Sequence, residues 1–431
     1  MNPPSDSPAD TTASRVISTL NLKRSIAVML LISLPQGILE FLLPLYIVAL
    51  GGSPTLIGTL VGIGAMTRII ALLTSGRLVD RGWGRGVLLT GLLLLGVGWC
   101  VWAFVQSIAG LVLGRMILSL AFVCVDVALT WMVAAFAPPE QRGQTFGRLT
   151  AAGSQGAIIG VLVAGSLLIL RDPQTQRDAI NVLRSFAITL NLPAPASRLD
   201  AFELVFVVFA GCALGAMLFT RQGRPYATQA QHVSLLRQWY NVWRDNAVRQ
   251  IVVLNLLTSI GYGVSVPMIL PLLRDRFQTE LIGLGIAYAI PGILYAIAPA
   301  ILGRLSDTYG YRPIIGVGFM INMGVYATLA FTPNMIWAAG IWTGEALAYS
   351  LYVPALNAWI ASILPAQRGM IISLSSVVSA VGVSVAAPLG GWLYQHGAYW
   401  LPFVMSALTF AFAGWLVSRY AQRSAPAMNH Y

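Results

Sequence analysis

Runs of about 20 predominantly apolar residues, the length that spans a bilayer as a helix, follow one another along almost the whole chain. They leave the backbone few choices. A hydrocarbon layer offers no water to an exposed N–H or C=O, so each run must satisfy its own backbone as a helix. Twelve runs are expected to span, at 25–50, 54–75, 86–106, 109–137, 145–170, 201–221, 248–273, 281–302, 313–332, 334–363, 369–395 and 399–419. A large soluble core of buried helices would need polar faces that these runs lack. The charged fraction, 10%, lies far below the roughly 25% of a soluble domain. The expected class is an all-α polytopic membrane protein.

The chain also repeats itself. Ser75-Gly76-Arg77-Leu78-Val79-Asp80-Arg81 returns 227 positions later as Leu302-Gly303-Arg304-Leu305-Ser306-Asp307-Thr308. Leu43-Pro44-Leu45 recurs at the same offset as Leu270-Pro271-Leu272, and Pro139-Glu140-Gln141-Arg142-Gly143 recurs as Pro365-Ala366-Gln367-Arg368-Gly369. Three landmarks in one order and phase make two versions of one unit, the pattern of a transporter built about a pseudo-two-fold axis. Two pseudo-symmetric six-helix bundles are therefore expected at 25–221 and 248–420. A disordered cytoplasmic tail precedes them at 1–24, a linker joins them at 222–247, and a second cytoplasmic tail follows at 421–431. Within the linker, Leu236, Trp239, Tyr240 and Trp243 fall at helical spacing beside Arg237 and Arg244, as in an amphipathic helix lying on a membrane surface. Ile180, Leu183, Ala187 and Leu190 predict a short helix in the long 171–200 connection.

The formal charge of +11 would point to nucleic acid in a soluble protein, but topology explains it here. Arg171, Arg177, Arg184, Arg198, Arg274 and Arg276 fall on one side of the predicted spans, and Arg68 and Arg115 fall within spans. The remaining lysine and arginines fall on the other side, which the positive-inside rule makes cytoplasmic, with both termini. The expected location is the plasma or inner membrane. Cys100, Cys124 and Cys212 lie far apart within apolar spans and form neither a disulfide framework nor a metal site. No cofactor, metal, nucleic-acid partner or enzymatic activity is expected; the partners are the lipid bilayer, a small organic substrate and protons, and the protein is expected to be a monomer.

These residues resemble the major facilitator superfamily of secondary transporters, over residues 25 to 420. Gly76, Asp80, Arg81, Gly84 and Arg85 match its loop pattern Gly-x-x-x-Asp-Arg-x-Gly-Arg with one inserted residue around Gly82-Trp83. Gly303, Asp307, Gly310 and Arg312 form the weaker second copy, with Thr308 and Tyr311 at two positions usually basic. The resemblance implies a gating latch that steadies one state of the transport cycle. Glycines there permit a tight turn and close helix approach. Within the superfamily, proton-coupled exporters carry Leu-x-x-x-Arg-x-x-Gln-Gly in span 4. Leu111 and Arg115 match it, while Leu118 and Ser119 stand in place of Gln and Gly. The exporters' Gly-Pro-x-x-Gly-Gly element loses its proline at Gly160–Gly165 and is closer to Ala387-Pro388-Leu389-Gly390-Gly391.

Five ionisable residues sit well inside predicted spans: Glu40, Arg68, Arg115, Asp126 and Glu345. A charge at a helix centre costs on the order of 2.5–3.5 kcal/mol even on lenient scales, so each should face the interior and find a partner. At a rise of about 1.5 Å per residue, Glu40 and Glu345 lie at neighbouring depths in the outer half of the spans, with Arg115 nearby. Eleven residues separate Arg115 from Asp126, which leaves them within about 20° of one helix face. Two layers are expected, Arg68 with Asp126 and Arg115 with Glu40. Glu345 is then the first candidate for proton coupling, with Glu40 second and Asp126 the remaining acid. A purely structural role as helix-locking ion pairs is the alternative. Arg115, Arg68, Asn255, Tyr262, Trp342 and Tyr349 are the candidate substrate contacts. Tyr288, Tyr295 and Tyr352 complete aromatic walls suited to amphipathic or cationic substrates.

The function expected is alternating-access transport, by proton-coupled efflux of a drug-like compound, metabolite or sugar. Two alternatives stand beside it: symport or facilitated uptake of an organic anion held by Arg115 and Arg68, and a non-transporting sensor or lipid-handling protein.

Overall fold

The computed structural model describes residues 23–36, 39, 43–44, 46–48, 50–136, 142–171, 198–220, 244–278, 281–302, 305–363 and 368–424. Among these there is no strand, as the apolar runs require. Helix α1 covers 23–36, and α2 (Pro54–Leu78) runs into a short π-helical turn at Val79–Trp83. Then come α3 (Gly84–Phe104), α4 (Ile108–Phe136), α5 (Arg142–Arg171) and α6 (Arg198–Ala216). In the second half α7 (Asn246–Ser265) passes through a 3-10 turn at Val266–Met268 into α8 (Ile269–Phe277). After it stand α9 (Leu281–Leu302), the short α10 (Leu305–Tyr309), α11 (Tyr311–Leu329), α12 (Met335–Ile363), α13 (Arg368–His396) and α14 (Leu401–Ser424).

Eight helices among the described residues are long and apolar enough to cross a membrane. Helices also occupy the expected spans at 281–302, 313–332 and 334–363. The outward faces carry large apolar side chains such as Phe104, Leu162, Ile336, Val385 and Leu408, a surface that suits lipid and not water. The predicted helices in the linker (Leu236 to Trp243) and in the 171–200 connection lie outside the described residues, as does Glu40.

Local chemistry explains several boundaries. Asp245 caps α7, its carboxylate accepting the Ala247 and Val248 N–H groups at 2.8 and 3.3 Å. Pro267 has no N–H to give, and there the backbone tightens into the 3-10 turn before α8. Gln278, at φ 49°, ends α8 in the left-handed conformation.

The chain forms two compact units. One comprises Met1–Leu39, Ile70–Leu167 and Phe202–Gln231; the other comprises Glu40–Ile69, Leu168–Ala201 and His232–Tyr431. The core of the first is aromatic. Trp99 and Trp102 meet edge to face at 5.5 Å, and Phe206 and Phe209 pack on Trp99 at 5.8 and 5.3 Å. The Trp102 indole N–H donates to the Leu111 carbonyl at 3.1 Å, which ties α3 to α4 and satisfies a buried polar group. Gly153, Gly156 and Gly160 form one face of α5 against Met29, Leu30 and Leu34 of α1. A side chain at Gly156 or Gly160 would strike the α1 backbone, and one at Gly153 would crowd the Met29 side chain, so these glycines serve close helix packing.

In the second unit, α9 packs on α12, α12 on α11, α11 on α14, α14 on α7 and α7 on α13. The N-terminal part of α2 joins this unit. Its Gly62 lies against Pro388 of α13, where an added methyl would sit 2.7 Å from the proline ring. Thr55 reaches the Gly391 carbonyl with its hydroxyl and the Gln395 side chain with its N–H.

Candidate functional site

Glu345 occupies the middle of α12 and is 1% exposed. A carboxyl group at such a position is costly unless hydrogen-bonded, and its partner is a tyrosine: the Tyr295 hydroxyl of α9 donates to Glu345 Oε2. Trp342, Glu345, Tyr349 and Tyr352 follow one another at spacings of three, four and three, which returns them to one side of α12. Tyr288 and Tyr295, seven apart, do the same on α9. The two rows interlock. Tyr288 meets Trp342 at 4.4 Å and Tyr295 meets Tyr349 at 5.1 Å, both edge to face, and Tyr349 meets Tyr352 at 5.8 Å. A buried carboxyl group thus sits within a ladder of five aromatic rings. Such rings offer negative faces to a cation and flat apolar area to any amphipathic molecule.

Of the other sequence-predicted residues, Asn255 and Tyr262 lie half-buried on α7. Arg115 is half-buried on α4 in the first unit, next to Gly114, against which Trp102 packs. Asp126 is exposed on the same helix, and Arg68 is exposed on α2 in the part that belongs to the second unit. The expected partner of Arg115, Glu40, is outside the described residues.

The loop pattern takes definite shape in both halves. In the first, the left-handed turn falls on Gly82 (φ 85°), inside the inserted pair; Gly84 is helical and buried against the Trp131 ring. The two glycines therefore divide the tasks of turning the chain and admitting a neighbour. Gly76 lies in the last turn of α2, Asp80 and Arg81 lie in the π-helical turn, and Arg85 is exposed on α3. In the second copy the turn is at Gly310 (φ 83°), and Asp307 belongs to α10, while Gly303 is outside the described residues. Arg312 stacks on Trp359 at 5.2 Å and donates to the Tyr420 carbonyl at 3.1 Å, capping the end of α14.

Sequence reasoning placed Tyr295 in an aromatic wall and left Glu345 without an assigned cation; the donor to Glu345 is that tyrosine. It passed over Asn322, Tyr326, Ser265 and Ser406, all buried within the second unit. An asparagine inside an apolar run was the available signal.

The sequence pattern of the Major Facilitator Superfamily matches residues 26–278 and, again, 251–429. The chain belongs to this superfamily. It is a multi-pass membrane protein with the superfamily's all-α fold, a family and fold of membrane transporters rather than enzymes. Among curated relatives, the multidrug resistance protein MdtH of Shigella dysenteriae is 27% identical over 173 residues, covering 38% of this chain and 41% of that protein. MdtH of Escherichia coli strain K12 / DH10B is 27% identical over 174 residues, covering 38% and 42%. The chain thus spans about two fifths of the length of the curated relatives it matches.

Solved structures extend the likeness over the whole fold. A bacterial homologue of the human lysosomal transporter Spinster, inward-facing and unoccupied, superposes with a TM-score of 0.69 at 14% identity, covering 95% of this chain and 97% of that one. The fucose:proton symporter FucP of E. coli gives 0.64 at 15%, covering 94% and 99%. The human organic anion transporter MFSD10 (TETRAN) gives 0.60 at 16%, covering 96% and 100%.

Proposed function

We propose that this transporter exports a small organic molecule, drug-like or metabolic, in exchange for protons. The observation that carries the reading is the buried Glu345 carboxyl group held by Tyr295 within the aromatic ladder. A carboxyl group can exist with or without its proton, so an acid here can take up a proton at one stage of the cycle and release it at another. Trp342 and Tyr349, with Tyr288 and Tyr295, form the wall against which an amphipathic or cationic molecule would lie. Asn255 and Tyr262 of α7 add polar contacts, and Asp126 and Glu40 are the further acids of the coupling path. The relatives named for multidrug resistance support efflux. The transporter works as a monomer in the plasma or inner membrane with both termini cytoplasmic. Residues 25–221 and 248–420 form rocking bundles joined by 222–247, and the two glycine loops are latches of the cycle.

A second reading has an observation of its own. Arg115 is half-buried inside α4 and Arg68 is exposed on α2, and a guanidinium group suits an organic anion. The likeness to an organic anion transporter and a proton symporter supports uptake by that route.

The test measures lumenal pH in everted vesicles carrying the protein, on adding lipophilic cations, sugars and organic acids in turn. Export predicts proton release driven by one class and lost in Glu345→Gln. Proton release that survives this substitution would remove Glu345 from the mechanism. Organic acids that drive proton movement lost in Arg115→Gln would favour the second reading.

A further inference from the structure

Asn322 lies in the middle of α11 and is wholly buried, and neither its amide nitrogen nor its amide oxygen has a hydrogen-bond partner among the described residues. A buried amide with both ends unbonded is costly, so such a side chain marks a place where something small and polar belongs. Its position follows from the register of α11 on α12. Gly318, one turn before it, lies against Tyr352 and the Ala348 carbonyl, and Val325, three residues after it, lies against Gly344. Asn322 therefore stands level with the turn of α12 between Gly344 and Ala348, which carries Glu345.

The directions agree with the levels. On α11, Gly318 and Val325 face α12, while Phe319 and Tyr326 pack on Phe410 of α14 at 5.9 and 5.7 Å. Asn322 falls angularly between these two faces and points into the space bounded by α7, α11, α12 and α14. Glu345 and Tyr352, seven apart, share the inner face of α12. The far wall is polar as well: Ser406 donates to the Gly261 carbonyl and bonds Ser265 at 2.9 Å, and the Tyr326 hydroxyl faces Ser265. The buried indole N–H of Trp342 has no hydrogen-bond partner among the described residues. Tyrosines stand around this carboxyl group: Tyr295 donates to it from α9, and Tyr352 of α12 interacts with it and with Tyr349 and Tyr326.

Water suits such a site, because it is small and both gives and accepts hydrogen bonds. We propose that Asn322, Tyr352 and Glu345 enclose a bound-water site that serves as the way-station for the proton of Glu345. This rests on the reading of Glu345 as the proton carrier. The carboxyl O–H bond breaks as an O–H bond forms on the water, leaving a carboxylate that still accepts the Tyr295 hydrogen. The protonated water, held by the Asn322 amide oxygen, discharges its proton to solvent water when the transport path opens.

The experiment is radiolytic hydroxyl labelling of the full-length protein in lipid nanodiscs, paired with the vesicle pH assay. Bound water generates hydroxyl radicals in place, so Tyr352 and Tyr326 should label several-fold faster, relative to intrinsic reactivity, than the equally buried Trp99 and Trp102. Asn322→Leu should remove that excess, diminish substrate-driven proton release and displace its pH profile. Asn322→Ser, which keeps a donor and an acceptor, should restore both. Wild-type labelling no faster than that of Trp99 would overturn the water site, and this readout stands even if Asn322→Leu does not fold. Lost labelling with unchanged proton release would overturn the way-station. Unchanged proton release in Glu345→Gln, with fast labelling intact, would sink the proton-carrier reading alone and leave the water site standing.

Discussion

The Tyr295 hydroxyl donates its hydrogen to Glu345 Oε2 and so joins α9 to α12 at the one deeply buried carboxyl group among the described residues. This bond turns an otherwise unfavourable residue into a fixed part of the fold. Removing a donor from a buried acceptor costs about 1–3 kcal/mol, more where the acceptor is charged. Tyr295→Phe keeps the ring packed on Tyr349 and loses only the hydroxyl. It should lower the melting temperature in detergent by several degrees and impair proton-coupled transport, whereas Glu345→Gln, which retains an acceptor, should melt closer to wild type. Equal melting of Tyr295→Phe and wild type would show that the bond contributes nothing.

Arg312 offers a second test of stability. Its stack on Trp359 is of the kind worth roughly 0.5–1 kcal/mol at exposed sites, and a charged hydrogen bond such as that to the Tyr420 carbonyl contributes about 1.5–3 kcal/mol. Arg312→Ala should therefore be clearly destabilised in thermal melts, and Arg312→Lys should recover only part of the loss, because an ammonium group cannot stack and bond in the same plane. Full recovery by lysine would mean that charge alone matters at this loop.

Glycines separate into two kinds by what surrounds them. An added methyl at Gly62 would meet the Pro388 ring and the Ser384 carbonyl, whereas at Gly340 of α12 nothing lies within 4 Å. Overpacking typically costs 1–3 kcal/mol, while replacing an exposed helical glycine by alanine gains roughly 0.8–1 kcal/mol. Gly62→Ala should lower the melting temperature and Gly340→Ala should raise it slightly. Opposite signs from the same substitution would establish that α2 closes tightly on α13; a neutral Gly62→Ala would show that contact to be loose.

These contrasts mark what a linear reading could reach. The helical class follows from the apolar runs alone, since a long apolar segment in lipid has one way to satisfy its backbone, and the repeated loop residues are the ground for expecting duplicated halves. Glu345 stood out because acids are rare in such runs. Its donor did not, because tyrosines are common there and only the packing of α9 on α12 singles out Tyr295. Which glycine turns the chain stayed open for a related reason: an inserted residue lets either Gly82 or Gly84 complete the pattern, and only the backbone angles distinguish them. The role of Arg312 depends on a carbonyl at Tyr420, more than a hundred residues away. Asn322 showed only as an asparagine inside an apolar run, because its importance lies in an environment that the sequence does not display.

If the aromatic ladder is the substrate wall, the identity of its rings should matter more than their bulk. A cation over an aromatic face gains about 0.5–2 kcal/mol, equivalent to roughly 2- to 30-fold in affinity. Trp342→Ala should weaken binding of a lipophilic cation such as tetraphenylphosphonium within that range, read by equilibrium binding to the purified protein. Trp342→Phe should retain most of the affinity, since a ring remains to meet the cation, while Trp342→Leu, apolar but without a ring, should behave like the alanine variant for cations and stay near wild type for neutral substrates. Leucine that matched phenylalanine for every compound would reduce the ladder to apolar packing, and Glu345 would then have to be judged on proton coupling alone.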